Sequence, residues 1–129
     1  MRIAIDSRWL TPEASGIGVY TQELLRALAV LDRENEYILL FDSAGMRERT
    51  IETASLRAAA NVSCEVLNYG VFSPASQLFL PGLLKKRGID VFHSPNYMIP
   101  FLAFPRNGKG RVAGVVTIHD VIPLIFPDH

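Results

Sequence analysis

Cysteine is nearly missing from this chain: Cys64 stands alone among 129 residues. It can form no internal disulfide and supply no multi-thiolate metal site, which favours a reducing compartment over a secreted scaffold. An excess of either charge is missing as well, since 13 Lys and Arg balance 13 Asp and Glu. No overall field then draws the chain to a polyanion, and sequence-independent binding of nucleic acid is not expected. Long apolar runs are also missing. Met98–Pro105 and Val121–Pro127 are the longest, both contain proline, and both fall far short of the ~20 residues of a spanning helix. At the N-terminus, Asp6 follows Ile3-Ala4-Ile5 too soon for the apolar stretch of a signal peptide. The expected location is cytoplasmic. What is present is the composition of one globular domain, 49% hydrophobic and 20% charged.

Apolar runs closed by a polar residue alternate with helical stretches. Ile3-Ala4-Ile5 predicts a first strand over residues 2–7, buried on both faces as in a parallel sheet. Tyr20, Leu24, Ala27, Leu28 and Leu31 recur at three-and-four spacing and predict an amphipathic helix from Gly16 to about Asp32. Further strands are expected at Glu36–Asp42, Val62–Leu67 and Asp90–His93, and the most strand-like run of all is Val112–Ile118. Helices are expected over Met46–Ala60 and Ala75–Arg87, the second kinked or split by Pro81-Gly82. This order predicts an α/β, Rossmann-like doubly wound parallel sheet with right-handed crossovers.

In such a sheet ligands bind outside the carboxyl ends of the strands, where strand order reverses. With the first strand central, the strands ending at His93 and Ile118 become its neighbours across that point. The candidates are then Asp6-Ser7-Arg8, Gly16-Ile17-Gly18, His93-Ser94-Pro95-Asn96-Tyr97 and His119-Asp120. Gly16 and Gly18 open a helix, whose free N–H groups and dipole favour an anion, although two glycines also serve a simple turn. His119 is expected just outside a buried strand, where it can bond a sugar hydroxyl, exchange a proton or brace a loop. Asp120 is expected to cap the turn into Val121-Ile122-Pro123 rather than orient the imidazole. No metal site is expected, because His93, His119 and Asp120 lack a clear ligand spacing. Covalent catalysis is not expected either: there is no Gly-x-Ser-x-Gly elbow, and Cys64 lies within a strand. Met98–Phe104 reads as core packing beneath a loop, with an acceptor or membrane-surface contact as the alternative. Pro105–Gly110 reads as a solvated basic connector.

Four runs in order, Asp6-Ser7-Arg8, Gly16-Ile17-Gly18-Val19-Tyr20-Thr21-Gln22-Glu23-Leu24-Leu25, Asp90–Tyr97 and Thr117–Leu124, closely resemble family 4 (group 1) glycosyltransferases of the GT-B type, nearest the mannosyltransferase-like branch of polysaccharide or lipopolysaccharide assembly. The resemblance implies metal-independent, cofactor-free transfer of a sugar, with retention, from a GDP- or UDP-linked donor to a hydroxyl of a glycan or lipid-linked acceptor. It implies that residues 1–129 are the N-terminal, acceptor-side half of a GT-B fold, lacking the C-terminal donor-binding domain and inactive alone. By that resemblance Gly16 and Gly18 lie near the donor diphosphate and His119 contacts the donor sugar as the catalytic-site histidine. Ser94, Asn96 and Asp120 take acceptor-side or structural roles, and peripheral contact with the inner membrane face is implied for the lipid-linked case. The family's pair of glutamates seven residues apart has no counterpart in this chain.

Two other functions stay open. A nicotinamide-dinucleotide-binding module is suggested by Asp42 at the end of the second strand, but Thr21 occupies the position of the fingerprint's third glycine. A non-catalytic α/β interaction domain is compatible with zero net charge and the apolar 98–104 segment.

Overall fold

The computed structural model describes residues 1–126, and of Pro123 only the backbone; the end of the apolar Val121–Pro127 stretch lies outside the described residues. Five parallel strands form one sheet: β1 (Arg2–Asp6), β2 (Glu36–Phe41), β3 (Val62–Val66), β4 (Val91–Ser94) and β5 (Ala113–Val116), in the spatial order β3-β2-β1-β4-β5. Helices α1 (Gly16–Leu31), α2 (Ala44–Thr53) and α3 (Pro74–Lys86) form the crossovers, and a short α4 (Ile122–Ile125) follows β5. The chain is an α/β, Rossmann-like doubly wound fold.

Both faces of the central strands are buried, which is why they read as continuous apolar runs. Ile5, Tyr37, Leu39 and Phe41 point to one face and pack with Leu25 and Ala29 of α1. Ala4, Leu40 and Phe92 point to the other and pack with Leu80 and Leu84 of α3. Each long helix begins at a serine whose hydroxyl accepts a first-turn N–H: Ser15 from Gly18, Ser43 from Met46 and Ser73 from Ala75.

Several expectations need correction. The buried stripe of α1 is Gly18, Thr21, Leu25 and Ala29, while Ala27 and Leu31 of the expected stripe are exposed. A search for apolar residues passes over Thr21, which becomes buriable because its hydroxyl donates to the Ile17 carbonyl at 2.7 Å. Gly18 adds to the rotation, since a Cβ there would stand 3.0 Å from the capping Ser15 hydroxyl. Pro81 does not split α3, which runs unbroken from Pro74 to Lys86. The expected 46–60 helix ends at Thr53, beyond which Ser55 adopts the left-handed conformation, φ 55°, and begins a short 3-10 turn.

The largest correction concerns the last strand. β5 spans only Ala113–Val116 and is exposed throughout, not buried. It is the edge of the sheet, paired with β4 alone, and among the described residues no long helix crosses either of its faces. β5 lies next to β4 and not next to β1, so the strand across the switch point from β1 is β4.

Candidate functional site at the switch point

β2 and β3 are added on one side of β1 and β4 and β5 on the other, so strand order reverses between β1 and β4. The crevice beyond their carboxyl ends is where an open α/β sheet binds ligands. It has a closed wall and an open wall.

The β1 wall is closed. Asp6 and Arg8 were candidates for ligand contact; instead they form a buried two-pronged ion pair, with Nε donating to Oδ1 and Nη2 to Oδ2, both at 2.8 Å. The two side chains are 1% and 2% exposed. Arg8 Nη1 also donates to the Ser76 hydroxyl at 3.0 Å and the Tyr69 carbonyl at 3.3 Å, and the guanidinium lies over the Tyr69 ring. The pair therefore ties β1 to the start of α3, and its bonding capacity is spent on the fold.

On the β4–β5 side the polar groups are less enclosed. The Thr117 hydroxyl lies 3.1 Å from both the Tyr20 hydroxyl on α1 and His93 Nε2 on β4. One hydroxyl can donate once and accept as well, so it bridges the two. Burial lowers the His93 pKa below its ordinary value, because the charged ring is the form that loses most on leaving water. His119 packs edge-on to Tyr20, with ring centroids 5.0 Å apart. Its Nε2 lies 2.7 Å from the Pro95 carbonyl. A carbonyl only accepts, so Nε2 carries the proton and, in the neutral ring, Nδ1 is left as an acceptor. His119 is exposed and stands at the rim of the crevice, not inside a strand mouth.

The other candidate residues divide between ligand-accessible and committed groups. Gly16 is exposed, with nothing within 4 Å of where a Cβ would be. The Ser15 cap takes the N–H of Gly18 at 3.0 Å, leaving those of Gly16 and Ile17 without a partner among the described residues. Gly16 lies one helical turn before Tyr20, so the ring contact places His119 at the same edge as the free start of α1. Ser94 is sealed from solvent, accepting the Asn96 N–H at 3.4 Å while its carbonyl accepts the Thr117 N–H at 3.0 Å. Asn96 Oδ1 accepts the Tyr97 N–H at 2.8 Å. Asp120 Oδ1 accepts the Ile122 N–H at 3.1 Å, which is the turn-capping bond expected of it.

Residues that sequence reasoning missed are Tyr20, Thr117 and Trp9. Tyr20 and Thr117 lie 97 residues apart in the chain, and no local pattern pairs them. Trp9, just beyond β1, packs edge-on to Phe72 and Tyr97, and its buried Nε1–H has no hydrogen-bond partner among the described residues. Among the described residues there is no group of three or more His, Cys, Asp or Glu side chains placed to hold a metal. No described helix is long and apolar enough to cross a membrane. A cavity of about 600 Å³ lies at the opposite, amino edge of the sheet, lined by Arg2, Arg33, Asn61 and Arg87 among others. Two of its arginines are already engaged, Arg2 with Glu36 and Arg87 with Glu65.

Fold and crevice together define a Rossmann-like α/β domain with a histidine and a free helix start at its switch point. Comparison with protein-family models, with curated proteins and with solved structures finds no match.

Proposed function

We infer that this domain is the acceptor-side half of a retaining, metal-independent glycosyltransferase, moving a sugar from a nucleotide-sugar to an acceptor hydroxyl. The observation that carries the reading is the placement of His119 against Tyr20, one turn beyond the start of α1, where the Gly16 and Ile17 N–H groups have no partner among the described residues. A helix start of this kind suits a diphosphate, because partial positive charge and unpaired donors face the same way. The His119 Nδ1 acceptor suits a sugar hydroxyl. Neither group would supply a nucleophile. Their contribution would be to hold the donor in place and to stabilise charge as the glycosidic bond breaks. A second domain closing over this edge would exclude water and complete the cleft, as the resemblance to GT-B enzymes implies. Polysaccharide or lipopolysaccharide assembly is the setting that the same resemblance suggests.

The nicotinamide reading is weaker at this edge. Thr21, at the third-glycine position, is fully buried and bonded within α1, and nine residues separate Asp6 from Gly16, too many for the tight dinucleotide turn.

Amide and imidazole resonances of the chain, followed during titration with UDP-sugars, GDP-sugars and NADH, test the reading. Sugar nucleotides are expected to shift Gly16, Ile17 and His119. Gly16→Ala is expected to fold normally, because its Cβ meets open space, and to lose most of that response. Shifts at Gly16 with NADH and none with either sugar nucleotide would sink the proposal.

A further inference from the structure

Between Ala113 and Asp120 every residue is exposed except Thr117. Val115, Val116 and Ile118 around it are 46%, 40% and 63% exposed. A threonine that turns inward where its apolar neighbours stay outside is drawn by its hydrogen bonds, not by its methyl group. Its N–H donates to the Ser94 carbonyl at 3.0 Å, and its hydroxyl lies 3.1 Å from both the Tyr20 hydroxyl and His93 Nε2. Two residues further on, His119 is held by the same two elements. Its Nε2 donates to the Pro95 carbonyl at 2.7 Å, and its ring meets the Tyr20 ring edge-on with centroids 5.0 Å apart. The segment leaving β5 is thus gripped twice. The consecutive carbonyls of Ser94 and Pro95 hold residues 117 and 119 from the end of β4, and one side chain of α1, Tyr20, contacts the same two residues.

Exposed as it is, His119 makes no other hydrogen bond or ring contact among the described residues. The bond at Nε2 fixes one point of the imidazole, about which the ring could still turn, and the edge contact with Tyr20 fixes its plane. Together they set the direction in which Nδ1, the acceptor, is presented. Tyr20 is itself held, because its hydroxyl is tied to Thr117 and through it to His93. This chain of groups has a direction. A phenol donates more readily than an aliphatic alcohol and accepts less readily, while burial disfavours the cationic form of His93 and leaves a bare imidazole nitrogen as a strong acceptor. Tyr20 therefore donates to Thr117 and Thr117 to His93 Nε2, so that His93 carries its proton on Nδ1. His119 carries its own on Nε2, and the two histidines are opposite tautomers.

We propose that Tyr20 is a positioning residue for His119: its ring sets the imidazole plane, and its hydroxyl, through Thr117 and His93, anchors that ring to β4. An imidazole oriented before a ligand arrives loses no further freedom when the ligand binds. What the orientation serves rests on the reading of His119 as the group that meets the donor sugar; the orientation itself does not.

Nitrogen-15 imidazole spectra of the chain without ligand, recorded above the ordinary histidine range, test the orientation. His93 is expected as the Nδ1–H tautomer and His119 as the Nε2–H tautomer. Tyr20→Phe is expected to leave His119 unchanged and to turn His93 into a mixture of tautomers, because Thr117 is then free to accept from it. Tyr20→Leu, confirmed folded by circular dichroism, is expected to speed exchange of the His119 Nε2–H with water about fivefold to tenfold, the worth of one aromatic contact, and Tyr20→Phe to restore it. Titration with UDP-glucose and GDP-mannose reads the use of that orientation. Tyr20→Leu is expected to weaken binding by the same about fivefold to tenfold, and to add nothing once His119 is replaced by alanine. An unchanged exchange rate in Tyr20→Leu, both histidines in the same tautomer, or an equal loss of affinity with and without His119 would each overturn the proposal. A chain that answers to neither sugar nucleotide would retire the transfer reading, and the spectra alone would then decide the role of Tyr20.

Discussion

Asp6 and Arg8 on one side, and His93, Thr117 and His119 on the other, occupy the same edge of one sheet, yet they have different fates. Every carboxylate oxygen of Asp6 is bonded to Arg8, and Arg8 reaches on to α3, so no capacity remains for a ligand. The β4–β5 side closes only part of its hydrogen bonds, and His119 sits at the rim with one ring nitrogen in use. Polar residues converging on a strand edge are therefore insufficient to mark a binding wall. What separates structure from site is whether burial has forced the groups to satisfy one another, since an unpaired buried charge would cost several kcal/mol.

The contrast is tested most severely at Arg8. Arg8→Met leaves the Asp6 carboxylate buried without its cation, keeping only the residue 8 backbone N–H at 3.3 Å, and is expected to lower unfolding free energy by about 3–5 kcal/mol in urea melts. Adding Asp6→Leu to that variant should recover most of the loss; a double variant no more stable than the single would show that the pair does more than neutralise itself. On the open side His119→Ala should behave in the reverse manner. Its stability should change by less than about 1 kcal/mol. In a chain competent for transfer, turnover should fall by roughly 30-fold to 1000-fold, as for loss of one preorganised transition-state contact. Normal turnover with a lowered melting temperature would make His119 a loop brace and erase the distinction between the walls.

Thr117→Val is expected to cost about 1 kcal/mol, since it unties Tyr20 from His93 without opening the core. The smallest effect is a pH slope. Above the ordinary histidine value of 6.5, His93 is neutral in both the folded and unfolded chain. As pH falls below that value, the unfolded chain gains a proton that the folded ring does not accept, so stability declines until the lowered folded pKa is reached. His93→Gln should flatten the part of the stability profile that begins near pH 6.5, and an unchanged slope would place the titration elsewhere.

Much of the architecture was legible in the chain itself. Runs such as Ile3–Ile5 and Tyr37–Phe41 are apolar at successive positions because both faces of a central parallel strand are covered. The loop-to-helix start at Gly16 and the turn cap at Asp120 follow from the local chemistry of glycine and aspartate, so they were found where expected. Element ends and solvent faces were less legible. Val112–Ile118 has the composition of a buried strand, but exposure depends on what stands beside it, and β5 is an edge.

By itself, then, the sequence determined the strand and helix alternation, the parallel sheet and the candidate segments at its carboxyl edge, because each of these depends on residues near one another in the chain. Tertiary structure alone decided that Asp6 and Arg8 close on each other, that Thr117 joins Tyr20 to His93, and that His119 meets α1. The physical reason is the same in each case. Hydrogen-bond satisfaction and burial are properties of neighbours in space, and the neighbours here come from segments that only the crossovers of the sheet bring together.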